Sequence, residues 1–194
     1  MLKRSLLLCT LALGVATLSS CIFDPKQDDG PPPVDNRKFQ DLSERVHVLE
    51  NLELAYNRRT ITKYDELLDV NFTFHYTDGD VGGGGVPVQW DRAEEVLVNT
   101  RLFDPNYSGA NRCKSIFMDV RIEDGLKWST VEANDGSGEE WFTTTLFYNF
   151  SIKVEPDTEF IPLGDAKADY TVRNAGTPDA PQWRLVEMRD RGGS

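Results

Sequence analysis

The sequence predicts an α+β domain, with helices first and a meander of antiparallel strands after. Three observations carry this reading. Apolar residues between Asn36 and Arg59 recur at steps of three and four. Two later segments, 114–123 and 140–154, alternate apolar and polar residues over strand-like lengths. Between them, Asn134-Asp135-Gly136-Ser137-Gly138 is a hairpin signal. Helical patterns followed by strand patterns are the α+β arrangement.

The chain opens on a different kind of segment. Lys3 and Arg4 precede an apolar run, Leu6 to Ala16, which is too short for a spanning helix of roughly 20 residues. Small residues then lead to Cys21. Leu18-Ser19-Ser20-Cys21 resembles the lipobox of bacterial lipoproteins. The resemblance implies that residues 1–20 are a signal peptide and that Cys21 becomes a lipidated N-terminus, held in a membrane by its acyl chains. Ile22, not aspartate, follows the cysteine. In such lipoproteins this implies the outer membrane of a bacterial envelope over the inner one. Residues 21–35 are rich in Pro and Asp and include Pro31-Pro32-Pro33. They read as an extended tether that spaces the domain from the bilayer. The domain proper is expected over 36–194, a length that suits one core.

Within the domain each element has its own signal. Asn36 to Arg59 is the long amphipathic helix, with Leu42, Val46, Leu49, Leu52, Ala55 and Tyr56 on one face. Thr62 to Leu68 reads as a short helix capped by Thr62. Phe72 to Tyr76 alternates as a strand. Its Phe72, Phe74 and Tyr76 fall on the core face, and Thr73 and His75 on the other. Asp91 caps a third helix, Arg92 to Phe103, with Val96 and Leu97 near Thr100 and Phe103. Strands follow over 114–123, 127–133, 140–154, 166–173 and 183–189. Ile116, Met118, Val120 and Ile122 share one face, and Phe142, Leu146, Tyr148 and Phe150 share another.

Composition narrows the function. The formal net charge is −11, and loss of Lys3 and Arg4 with the signal takes it to −13. Such a chain repels phosphate backbones, which argues against nucleic acid as a partner. Cys113 is the domain's lone cysteine, so no internal disulfide can form, and it reads as a small buried strand residue. With only His47 and His75 as histidines, no zinc spacing exists. Asp78-Gly79-Asp80 begins like a calcium loop, but its twelfth position is Gln89 and the bidentate acid is missing. Gly82 to Gly85 lacks the Lys-Ser/Thr ending of a phosphate loop. The sequence points to no metal and no cofactor. Asn71-Phe72-Thr73 and Asn149-Phe150-Ser151 match glycosylation acceptors, which chance strand sequence explains.

Leu49 to Arg59, then Tyr64, Leu67-Leu68-Asp69 and Phe72-Thr73-Phe74, resemble the opening of NTF2-like domains, the superfamily of SnoaL-like and ketosteroid-isomerase-like proteins. Trp183-Arg184-Leu185-Val186 is similar to their last strand. The resemblance implies a curved, mostly antiparallel sheet wrapped around the long helix as a cone, often hollow. It implies no single activity, because the fold hosts enzymes, binding proteins and assembly modules. In the isomerase branch a helix tyrosine and two acids do the chemistry. Here the tyrosine position falls near Leu52, the base near His75 or Tyr76, and the second acid has no counterpart. Leu52 cannot donate a hydrogen bond, so no catalytic residue is assigned.

The interior inferred from strand phase holds Tyr56, Tyr76, Tyr148 and Tyr170, with no acid or imidazole. The expectation is a non-catalytic, lipid-anchored domain that binds a small apolar ligand or an envelope protein, with Tyr56, Tyr76 and Tyr148 as ligand contacts. An isomerase, dehydratase or hydrolase with His75 or Tyr76 in the cone is the enzymatic alternative. A structural module that forms a homodimer through its open sheet is the third.

Overall fold

The first helix starts later than its periodicity predicts. In the computed structural model, which describes residues 35–78, 86–155, 158–160 and 166–191, helix α1 is Arg45–Arg58 rather than 36–59. The residues ahead of it satisfy their backbones elsewhere. The Gln40 N–H donates to the Asn51 side chain at 2.8 Å, and the Asn51 amide donates back to the Gln40 carbonyl at 2.9 Å. The Trp183 N–H donates to the Leu42 carbonyl at 2.8 Å. Asp41 accepts from the Ser43 N–H at 3.1 Å, a local bond that competes with helix. The helix ends at Arg59, whose φ of 55° is left-handed. The Arg59 guanidinium then donates to the Leu102, Cys113 and Lys114 carbonyls at 3.0, 3.1 and 3.3 Å. One side chain thus ties the end of α1 to two later elements.

Helix α2 is Ile61–Leu67, and its N-cap is Thr60, with no side-chain cap bond; the expected cap, Thr62, is the second residue of the helix. Strand β1, Leu68–Asp78, follows without a loop. Strand β2, Val86–Asp91, was not expected from the sequence. It carries Pro87 and lies at the sheet edge, where a missing N–H is tolerated. Helix α3 is Arg92–Phe103. Asp91 accepts from the Glu94 N–H at 3.0 Å and the Asp91 N–H donates to the Glu94 carboxylate at 3.2 Å, a complete capping box. The remaining strands are β3 Cys113–Val120, β4 Ser129–Glu132, β5 Glu140–Val154, β6 Thr158–Phe160, β7 Ala166–Asn174 and β8 Trp183–Asp190.

These strands form one sheet in the order β2-β1-β8-β7-β5-β3, with β4 and β6 also paired to β5. At 15 residues β5 is long enough to serve four neighbours. Every pairing is antiparallel except β1 with β8. Register shifts interrupt three ladders, including Thr171/Val172 against β8, and such bulges bend a sheet. The bent sheet closes over α1. Val48, Leu49, Leu52 and Ala55 are fully buried against Phe72, Leu146, Ala168, Tyr170, Val172 and Leu185. Burial of this kind contributes roughly 1.5–3 kcal/mol per large side chain. Ile116, Met118 and Val120 join the same core, and Cys113 is a buried free thiol.

Described residues belong to one compact unit spanning 35–194, and no helix among them is long and apolar enough to cross a membrane. Cys21, the tether up to Val34 and the Gly82 to Gly85 run lie outside the described residues.

Candidate functional site

The inner face of the sheet divides into two zones. Where α1 covers it, the side chains are dry. Beyond Phe72 the same face carries Phe74, Tyr76, Trp90, Phe150 and Met188, all half-buried. Register puts them together: Phe74 lies opposite Trp90 on β2 and opposite Met188 on β8. The Phe74 ring stacks on Tyr76 at 5.7 Å and on Trp90 at 5.3 Å, and Tyr76 meets Trp90 at 5.0 Å. On the far side Phe150 packs edge-on against Tyr56 at 5.3 Å. Aromatic rings on the inner face that stay part-open to solvent make an apolar surface.

The groups beside it are polar, which strand and helix phase did not reveal. Glu95 of α3 is 4% exposed. Its carboxylate accepts from the Tyr64 hydroxyl, from the Asn99 amide at 2.8 Å and from the Trp90 indole N–H at 2.6 Å. The Tyr56 hydroxyl donates to Tyr64 at 3.4 Å, so a polar line runs Tyr56–Tyr64–Glu95–Trp90. Burial raises the Glu95 pKa above the ordinary carboxylate range, and the three donors act against that shift. Burial likewise pushes both tyrosines up, and the Glu95 charge adds to it.

Glu95 corrects two expectations. The interior does hold an acid. The buried side of α3 is only partly the expected one: Phe103 is buried and Val96 packs against the core, but Leu97 and Thr100 are exposed. Leu97 is 51% and Val98 41% exposed, whereas Glu95, Asn99 and Phe103 are buried. Those three recur at four-residue steps on one helix face, a signal present in the sequence but masked by its polar residues.

The expected contacts fall in different places. Tyr76 sits in the aromatic zone. Tyr56 is half-buried as a residue, with its hydroxyl end deep among Tyr64, Phe103 and Phe150. Tyr148 is 8% exposed, and its hydroxyl is engaged with Asp190. The Tyr170 hydroxyl is buried with no partner among the described residues. His75 lies on the opposite face of β1, with Nε2 3.6 Å from a Glu187 carboxylate oxygen. Partial burial lowers its pKa, Glu187 opposes that shift and Arg189 adds to it. His75 and Tyr76 therefore point to different sides of the sheet, and no histidine joins the Glu95 line. Among the described residues no group of three acid, histidine or cysteine side chains could hold a metal.

No family model matches the chain, and no curated protein matches it. Solved structures do. A candidate scytalone dehydratase from Novosphingobium aromaticivorans is similar with a TM-score of 0.51 at 9% identity, over 77% of this chain and 81% of that one. A candidate aromatic ring hydroxylase from the same species gives 0.50 at 9% identity, over 76% and 85%. An NTF2-like protein of unknown function in nutrient uptake from Rhodospirillum rubrum gives 0.49 at 11% identity, over 78% and 99%. At such identities the likeness concerns fold and not activity. With a helix held in a curved, mostly antiparallel sheet, the chain has the α+β NTF2-like fold.

Proposed function

We propose that this protein is a lipid-anchored envelope domain that binds a small, flat, apolar ligand on the aromatic inner face of its sheet. The observation that carries the reading is the half-exposed state of Phe74, Tyr76, Trp90 and Phe150 on the face that elsewhere forms the core. Stacked rings left part-open suit a flat apolar molecule, and a few polar groups beside them orient it. Of the three expected contacts, Tyr76 remains the proposed one; the Tyr56 and Tyr148 hydroxyls are already engaged by Tyr64 and Asp190. The Glu95 carboxylate already accepts three hydrogen bonds, so it serves to fix Trp90 and Tyr64 in place. An envelope protein partner and a homodimer through the outer sheet face are the other occupants this reading competes with. The acidic charge argues against nucleic acid.

The neutral dye N-phenyl-1-naphthylamine is the probe. Titrated into the mature protein, it should brighten and saturate. Tyr76→Ala should weaken it about five- to tenfold, on the order of 1 kcal/mol for a lost aromatic contact. His75→Ala, on the other face, should leave it unchanged. Equal effects from both substitutions, or no saturable binding, would rule the reading out.

A second reading is favoured by one observation, the Tyr56–Tyr64–Glu95 line. A buried acid with a raised pKa, joined to tyrosines, can hold or pass a proton. Under that reading the bound molecule is converted, and mass spectrometry of the ligand recovered after incubation distinguishes the two.

Anchoring rests on Leu18-Ser19-Ser20-Cys21 and has its own test. Intact mass of the membrane fraction should show a chain beginning at Cys21 with added acyl mass. A mature protein retaining Met1, or an unmodified Cys21, would remove the anchor from the account.

A further inference from the structure

A second binding feature lies at the other end of the domain, where α1 begins. Arg45 is the first residue of α1, and its guanidinium carbon sits 4.1 Å from the Phe142 ring centre, 5.2 Å from Trp183 and 5.7 Å from Trp128. The three rings come from β5, from the start of β8 and from the loop before β4. Phe142 and Trp183 meet edge-on at 5.5 Å, and the Trp183 indole N–H donates to the Ser43 carbonyl at 3.2 Å, which fixes that wall. Among the described residues the Arg45 side chain makes these ring contacts and no hydrogen bond or ion pair. The box opens on a cleft of about 930 Å³, whose lining includes Glu44, Glu50, Glu123 and Asp124 and, as its one other cation, Arg37.

We infer that this box is a binding site for an organic cation of the alkylammonium class, with Arg45 occupying it in the free protein. Aromatic faces attract weakly hydrated cations, and three of them around one point form a cage for such a group. The rim carboxylates favour a cation entering the cleft and repel an anion that Arg45 would otherwise attract. Arg45 is a displaceable occupant. Its charge lies at the positive end of the α1 dipole, where a cation is disfavoured, and no ion pair among the described residues compensates it. A ligand ammonium that enters lets the arginine swing into the acidic cleft, where Glu44 and Glu50 are close in sequence. The site is independent of the aromatic zone around Tyr76.

Tryptophan fluorescence of the mature protein, titrated with tetramethylammonium chloride at low salt, tests this. Wild type should bind weakly. Arg45→Ala, which empties the box, should bind at least tenfold more tightly, and Arg45→Met, which keeps the stem without the charge, should bind more tightly than wild type. Adding Trp128→Ala, a change in a part-exposed loop residue, should abolish the gain. Sodium acetate should give no saturable signal. Thermal melts of each variant establish that the fold persists. The proposal is overturned if either Arg45 variant, once shown to be folded, binds tetramethylammonium no better than wild type. It is also overturned if acetate saturates the wild type and the signal disappears in Arg45→Ala, because that result makes Arg45 an anion-binding residue.

Discussion

Glu95→Ala is expected to destabilise the domain by about 3–5 kcal/mol, the combined effect of a lost buried side chain and of donors left without acceptors. Three donors converge on this carboxylate: the Tyr64 hydroxyl, the Trp90 indole and the Asn99 amide. Each unsatisfied buried donor costs about 1–3 kcal/mol, and the three are too close to add fully. Glu95→Gln keeps the shape and one acceptor oxygen, so its cost should be smaller. The pair also gives a pH test. Burial raises the folded-state pKa of Glu95, so the folded form binds a proton more readily than the unfolded one. The stabilisation from that proton is complete below the ordinary glutamate pKa and is lost as pH rises through the folded value. Urea denaturation from pH 4 upward should show wild type losing stability relative to Glu95→Gln. A difference independent of pH would mean that Glu95 titrates normally.

Arg173→Ala should produce a loss of similar size by another route. Asp69, at the β1 entrance, has a side chain only 2% exposed, and Arg173 Nε donates to it at 2.7 Å. Arg173 also reaches Glu139 at 3.1 Å. Removing the arginine leaves a buried carboxylate without its counter-charge, which costs about 3–5 kcal/mol. For a domain of this size the melting temperature should fall by roughly 10 °C. Replacing both partners with apolar residues should recover much of that loss, because the penalty comes from the unpaired charge. Melts of Arg173→Ala and of Arg173→Met with Asp69→Leu measure the contrast. A double variant as unstable as the single one would mean that packing, not charge, dominates there.

Much of the fold could be read from residue patterns because its elements are conventional where they are buried. Leu49, Leu52 and Ala55 repeat at helical steps, and all are fully buried. Ile116, Met118 and Val120 alternate and fall on the core face as expected. Asp91 caps α3 with Glu94. What escaped depended on distant partners. The start of α1 shifts because Gln40 and Leu42 bond to Asn51 and Trp183, and the latter is 141 positions along the chain from Leu42. Strand β2 escaped because Pro87 and the preceding glycines read as loop, although an edge strand accepts proline.

The site was less legible than the fold. Phase along β1 separated Tyr76 from His75, and the two do lie on opposite faces. Glu95 was not found, because a glutamate on a helix with mixed polarity looks solvated. Only the approach of Tyr64 from α2 and Trp90 from β2 makes it a buried acid. Arg45 was missed for the same reason, since Trp128, Phe142 and Trp183 come together only when β5 and β8 fold over the start of α1.

The central claim is that the inner aromatic face is where the ligand binds. Crystals of the mature protein soaked with N-phenyl-1-naphthylamine test it most directly. The account predicts density for the dye against Tyr76, Trp90 and Phe74, with Phe150 on its far side. Density confined to the opposite sheet face around His75 and Glu187, or a saturated soak that leaves the inner face empty, would contradict it.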